Sequence, residues 1–320
     1  MPLFLREQDV HTLLTMKDAL AAVEEAFRLQ GSGEADNRPR QRPRLPGTML
    51  QVMSAGVRGM GFGLKAYTVG PRGVRFVVLL WGEQTGDLEA VIEAGHMGQM
   101  RTGAASGIAT RYLARLDASR VGLFGTGTQA PAQLEAVCAV RPVERVRVYS
   151  RAPAHRRRFA TEMTEQLGLP VEPVATRREV VEQADILITI TKASEPLFDG
   201  DWLRPGTHVN AAGSNRSNAQ EIDARTLDRA ALVTIDDRDQ GRIEAGDLLA
   251  AERQKVLDWD EVVELGQVVA GHHPGRRDRH SITVFESLGV AVEDVAVARV
   301  VYEKARKAGL GESLPETTLG

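Results

Sequence analysis

Lys65 lies inside an otherwise apolar stretch, Gly63-Leu64-Lys65-Ala66-Tyr67. A one-faced sheet can turn such a lysine to water. Facing a cleft instead, it is the best proton donor in this part of the chain. Burial would then lower its pKa toward the working range. Arg101 opens a run of small residues, Arg101-Thr102-Gly103-Ala104-Ala105-Ser106, which reads as the first turn of a helix continuing to about Leu113. A helix N-terminus disfavours a cation, so local structure gives little reason for an arginine there. An anion held between Arg101 and the free helix N–H groups would supply one. Upstream, Arg38, Arg40, Arg42 and Arg44 put four arginines in seven residues, broken by prolines that favour extended chain. They are either a solvated edge or a grip on a carboxylate or phosphate.

A second group of residues points to a dinucleotide. Val121-Gly-Leu-Phe124 is a short apolar run, followed by Gly125-Thr-Gly127-Thr128-Gln129-Ala130 and a helical pattern to Val140. The order is strand, tight turn, helix. Gly125 permits the sharp turn, Gly127 lets backbone approach a pyrophosphate, and Ala130 lets the helix pack close. A bare glycine turn is weak evidence, but here the strand-to-helix context is present on both sides. A further strand, Arg145 to Tyr149, follows at βαβ distance. Its end decides the cofactor. Ser150 and Arg151 stand where an NAD enzyme carries an acid for the ribose hydroxyls, and no acid follows until Glu162. Serine with arginine suits a 2′-phosphate, so NADP(H) is expected over NAD(H). The alternative reads arginines 151 and 156 to 158 as decoration of a helix surface.

The elements that must position these residues follow from pattern. Thr15 with Asp18 three residues on predicts a helix start, and Met16, Leu20, Val23 and Phe27 share one face. Met49–Ser54, Gly63–Thr68 and Val74–Trp81 read as strands. Glu83–Asp87 reads as a hairpin turn and Leu88–Ile92 as the return strand. Beyond the glycine motif, Ile186–Ile190, His208–Gly213 and Ala231–Ile235 are almost wholly apolar, as in a parallel sheet covered on both faces. Ligands of such sheets bind beyond the strands' carboxyl ends, which places Thr191, Ala212, Gly213, Ser214 and Asn215 toward a cofactor. Ser281–Phe285 reads as a short strand of the first domain, and Val290–Lys307 as a long closing helix. The fold class is therefore α/β, a Rossmann-type doubly wound nucleotide domain plus an α+β domain. The expected division is 1–118 with 281–320 for the α+β domain and 119–280 for the nucleotide domain.

Composition excludes other classes. With 40 basic and 43 acidic residues, net charge −3, there is no electrostatic footprint for nucleic acid. No apolar run reaches the roughly 20 residues that span a bilayer. The N-terminus lacks the form of a secretory signal, so a cytoplasmic protein is expected. Cys138 is the one cysteine and excludes an internal disulfide. His272, His273 and His280 sit in a Pro/Gly/Arg-rich loop without a paired carboxylate and read as solvated, so no metal is expected.

Taken together these residues resemble the ornithine cyclodeaminase and μ-crystallin family. The match is carried by Gly63-Leu-Lys65, by Thr85 through Ser106, by Gly125 through Ala130, and by Ala184 through Thr191. It continues through Val209 to Asn215, Ile282 to Gly289, and Glu293-Asp294. The resemblance implies a homodimer whose first domain binds substrate and forms the dimer interface. It also implies Lys65 as active-site lysine and Arg101 as carboxylate-binding arginine. Arg40 corresponds to the second such arginine, with Arg42 as the alternative. Arg101, Thr102, Thr128, Gln129, Ser150, Thr191, Ala212 and Ser287 correspond to cofactor contacts, and Leu288 lies beside the substrate. There is one departure. Where the cyclodeaminases carry a proposed general-base aspartate, this chain has Asn215, which cannot take a proton at neutral pH. The expected function is an NADP-dependent reductase of a 2-imino carboxylate, an imine reductase or amino-acid dehydrogenase. The rivals are a cyclodeaminase recycling NAD⁺ and a non-enzymatic NADPH-binding protein. The small-molecule partner is an amino or imino acid.

Overall fold

The computed structural model describes residues 1–71 and 73–315, which divide into two compact units, 1–102 with the segment from Val290 onward, and 103–289. The first unit opens with β1 (Leu3–Leu5), α1 (Glu7–Leu13) and α2 (Met16–Gly31). Thr15 and Asp18 form the expected capping box, each side chain bonding the other's backbone N–H. An antiparallel run follows: β2 (Ala35–Gln41), β3 (Arg44–Leu45), β4 (Thr48–Val57), β5 (Gly61–Gly70), β6 (Gly73–Trp81) and β7 (Leu88–Glu93). Successive strands β4 to β7 are neighbours. Lys65 pairs across β5 with Met53 and Val78, so its face of the sheet is the one that also buries those two side chains.

The helix α3 (Gly95–Leu113) carries the chain into the second unit. It starts six residues before Arg101, so Arg101 lies in its second turn and not at its N-terminus. The two glycines at 95 and 98 lower local helix propensity, which is why the sequence pattern starts the helix late. A distant residue compensates, since the Glu7 carboxylate accepts the N–H groups of Gly95 and His96. The anion-binding role read from a helix N-terminus at Arg101 is therefore withdrawn.

The second unit contains β8 (Arg120–Phe124), α4 (Ala130–Val140), β9 (Arg145–Tyr149), α5 (Pro153–Leu167), β10 (Val171–Pro173), α6 (Arg177–Val181) and β11 (Ile186–Thr189). Then come β12 (His208–Ala211), α7 (Ala224–Asp228), β13 (Ala230–Ile235), α8 (Arg238–Glu244), α9 (Gly246–Arg253), β14 (Val263–Glu264), α10 (Leu265–Val269) and β15 (Ile282–Glu286). The sheet order is β10-β9-β8-β11-β12-β15-β13-β14, with every pairing parallel. This is the Rossmann-type doubly wound architecture, with apolar clusters on both faces. Both boundaries differ from the sequence reading: the first falls between Thr102 and Gly103, within α3, and not at 118/119. β15 lies between β12 and β13, so residues 281–289 belong to this unit and the chain leaves it only after Gly289.

The chain then returns through α11 (Ala291–Ala308) and β16 (Glu312–Ser313), which pairs with β1. α11 packs on α2 and across β4 and β5 of the first unit. Among the described residues no helix is long and apolar enough to cross a membrane.

Candidate functional site

In the first unit a cluster of charges is buried under the sheet. Lys65 is 3% exposed, and its Nζ donates to Asp294 Oδ1 at 2.9 Å. Arg101 is 6% exposed. Its Nη1 donates to Glu293 Oε2 at 2.7 Å, and its Nε stands 3.1 Å from Asp294 Oδ1. Arg40, the sixth residue of β2, is buried as well, whereas Arg42 is only partly covered. Burial pushes the Lys65 ammonium down to about 8, with Arg101 and Arg40 adding repulsion and Asp294 opposing. Burial also works against the Arg101 guanidinium, but Asp294 and Glu293 more than compensate and hold it charged. Glu293 is raised above the usual carboxylate range by burial, against the pull of Arg101.

Glu293 and Asp294 form the acidic first turn of α11. Their part in this cluster is not readable from their own stretch of chain, because acids in a first turn are what any helix favours. Buried ion pairs seldom repay their desolvation, so a network of this kind is weak as a stability device. What it does offer is a proton donor and a fixed guanidinium side by side in a water-poor setting.

The second unit holds a cleft of about 710 Å³ beyond the carboxyl ends of β8, β9 and β11. Its lining includes Gly125, Gly127, Thr128, Gln129, Ser150, Arg151, Thr191 and Gly213 from the expected set. Gly125 has φ +109°, and a Cβ there would stand 2.3 Å from the Ile190 carbonyl oxygen, so only glycine fits. At Gly127 a Cβ would meet nothing within 4 Å, so a side chain would project into open space of the cleft. α4 begins at once, with Pro131 in its first turn removing one N–H that would need a partner. These features fit a dinucleotide, with the bare backbone at Gly127 open to its phosphates.

At the end of β9, Arg156 packs 5.2 Å above the Tyr149 ring and donates to the Ser150 carbonyl, while Arg157 and Arg158 are exposed on α5. His155 and Arg177 line the cleft with Arg151 and escaped the sequence reading, since neither belongs to the glycine motif. Glu221 escaped it too. This wholly buried carboxylate accepts from Thr189 Oγ1, from the N–H and Oγ1 of Thr191, and from the Gly213 N–H, at 2.6–2.8 Å. It thereby ties together the ends of β11 and β12.

Ala212, Ser287 and Leu288 do not line this cleft. Ala212 N–H bonds Thr189, Ser287 N–H bonds Ala211, and Leu288 N–H bonds the Asp236 carboxylate. Asn215 is half-buried in the loop after β12. Thr102 bonds back to Gly98 within α3.

The sequence profile of the ornithine cyclodeaminase/mu-crystallin family matches residues 1–309. The chain belongs to this family. Among its relatives is a Δ1-pyrroline-2-carboxylate reductase of Bacillus cereus, 37% identical over 82% of this chain and 83% of the relative. Of solved structures, the Thermococcus litoralis Δ1-pyrroline-2-carboxylate reductase with NADH and L-proline superimposes with a TM-score of 0.93 at 35% identity, over 98% of this chain and 100% of that one. An archaeal alanine dehydrogenase dimer with bound NAD gives a TM-score of 0.92 at 34% identity, over 98% and 99%.

Proposed function

We propose that this family member reduces the C=N bond of a 2-imino carboxylate, with NADPH preferred. It is an NAD(P)-dependent oxidoreductase of the class acting on CH–NH and C=N groups. The observation that carries the reading is the buried Lys65–Arg101 pair, in a chain similar to enzymes that act on Δ1-pyrroline-2-carboxylate and alanine. Arg101, with Arg40 rather than the more exposed Arg42, holds the substrate carboxylate through charge-assisted bonds and so fixes the adjacent prochiral carbon. When bound, the dihydronicotinamide supplies a hydride to that carbon. The imine nitrogen then gains an electron pair and needs a proton, which Lys65 gives up; water recharges the lysine. With its pKa near 8, Lys65 is mostly protonated at neutral pH yet a competent acid. Ring closure of ornithine would instead need a group that takes a proton from the attacking amine. Asn215 cannot do so.

Ser150 and Arg151 support NADPH over NADH, with Arg177 adding positive charge to the same cleft. A homodimer is supported by the outward face of the first unit's sheet. Phe62, Leu64 and Ala66 lie there beside Trp81, Leu79 and Val77, and Phe62 is 51% exposed. The test is a panel of cyclic imino acids, and of 2-oxo acids with amines, followed by oxidation of NADPH and of NADH. Turnover of at least one imine with NADPH, at lower KM than with NADH, is expected. Equal use of both cofactors would remove the NADP preference, and no turnover on any imine would remove the reductase.

A further inference from the structure

Asp294 is 1% exposed, and a single one of its oxygens faces two cations from different elements. Oδ1 lies 2.9 Å from Lys65 Nζ on β5 and 3.1 Å from Arg101 Nε on α3. The other oxygen, Oδ2, is buried and accepts no hydrogen bond from a described residue. A carboxylate buried in this way is a poor stability device, because each charge must be desolvated. It is well suited to holding two mutually repelling cations at one separation.

We propose that Asp294 is a positioning residue, which fixes the spacing of the Lys65 ammonium and the Arg101 guanidinium through Oδ1 and keeps the lysine protonated. This rests on the imine-reductase reading of the same cluster. Arg101 from α3 and Arg40 from β2 face the lysine as like charges, and both favour loss of its proton. Asp294 from α11 is the opposing charge. Tyr67 on the lysine's own strand and Phe76 on β6 present their rings at 6.0 and 5.2 Å, and Glu293 is engaged with Arg101. Without the Asp294 carboxylate, burial and two arginines act together, and Lys65 is neutral where it must give a proton.

The test compares the wild type with Asp294→Asn, Asp294→Glu and Lys65→Met. Activity that depends on a protonated lysine falls as pH rises through its pKa. The alkaline limb of kcat/KM in Asp294→Asn should therefore move to lower pH by roughly 1–3 units, with dinucleotide affinity unchanged. The ¹⁵N resonance of Lys65 Nζ should titrate at correspondingly lower pH, a readout independent of turnover. Asp294→Glu keeps the charge but displaces it, so the limb should stay while kcat/KM falls. A wild-type limb and a wild-type Nζ titration in Asp294→Asn overturn the proposal. Should that variant not fold, undiminished kcat/KM in Asp294→Glu overturns it alone. If Lys65→Met is inactive in either case, only the assignment of Asp294 is lost. Full imine turnover in Lys65→Met removes Lys65 as the proton donor, and the proposal with it, while the reductase reading stands.

Discussion

At the scale of single residues the account turns on Arg101. Its guanidinium is already engaged by Glu293 and Asp294, so truncation to alanine would strand two buried acids and report folding as much as function. Arg101→Lys keeps the charge and loses the planar fork. Losing one charge-assisted hydrogen bond to a substrate carboxylate costs about 1.5–3 kcal/mol, roughly ten- to a hundredfold in kcat/KM. The loss is expected mainly in KM, measured on whichever imine the enzyme turns over. Unchanged kcat/KM would make Arg101 a structural residue. Lys65 stood out in the sequence because strand interiors rarely carry a lysine between apolar neighbours. Its partner Asp294 did not, since an acid in a first turn has an ordinary explanation. Arg101 was noticed for a reason that failed, because it stands in the second turn of α3, whose cap comes from Glu7 far away in sequence.

At the scale of elements, the strands of the parallel sheet were legible as apolar runs, and the glycine turn as the point where one of them meets a helix. The place of β15 was not. Ile282–Phe285 is as apolar as its neighbours, and nothing in the run says that it inserts between β12 and β13. The buried acids that knit the strand ends were equally hidden, because Glu221 and Asp247 lie in polar segments that read as surface. Asp247, at the start of α9, accepts the N–H groups of Glu221 and Ile222 through one oxygen. Burial, with Glu221 adding repulsion, pushes it up to about 7. A raised acid binds a proton in the folded protein that the unfolded chain has released, so its contribution to stability falls as pH rises from the ordinary aspartate range to about 7. Asp247→Asn retains a carbonyl acceptor and has no proton to lose. Thermal melts should show the variant gaining on the wild type as pH is raised across that window. A difference in Tm that does not change with pH would contradict this.

At the scale of the whole molecule, the outward sheet face of the first unit carries the case for a dimer. Strand alternation puts Lys65 and Met53 on one face and leaves Phe62, Leu64 and Ala66 on the other. Sedimentation velocity should give a species of twice the 34.8 kDa chain mass, and Phe62→Glu should shift it toward the monomer. A monomeric wild type would refute the interface. The division into two units followed from the change between antiparallel and parallel strand patterns, but both boundaries lie elsewhere, at 102/103 and 289/290. Neither unit alone states a reaction; on the proposed reading the first supplies a proton donor and a carboxylate grip, the second a dinucleotide cleft. The claim that joins them is hydride delivery to the carbon of an imine. The most direct measurement uses NADPH deuterated at C4 of the nicotinamide with a cyclic 2-imino carboxylate, and reads the product by mass and NMR. The expected result is an amino acid carrying deuterium at its α-carbon, one equivalent per NADPH oxidised. The contrary result is no labelled amino acid from any imine, together with steady ammonia and proline from ornithine and no net use of cofactor.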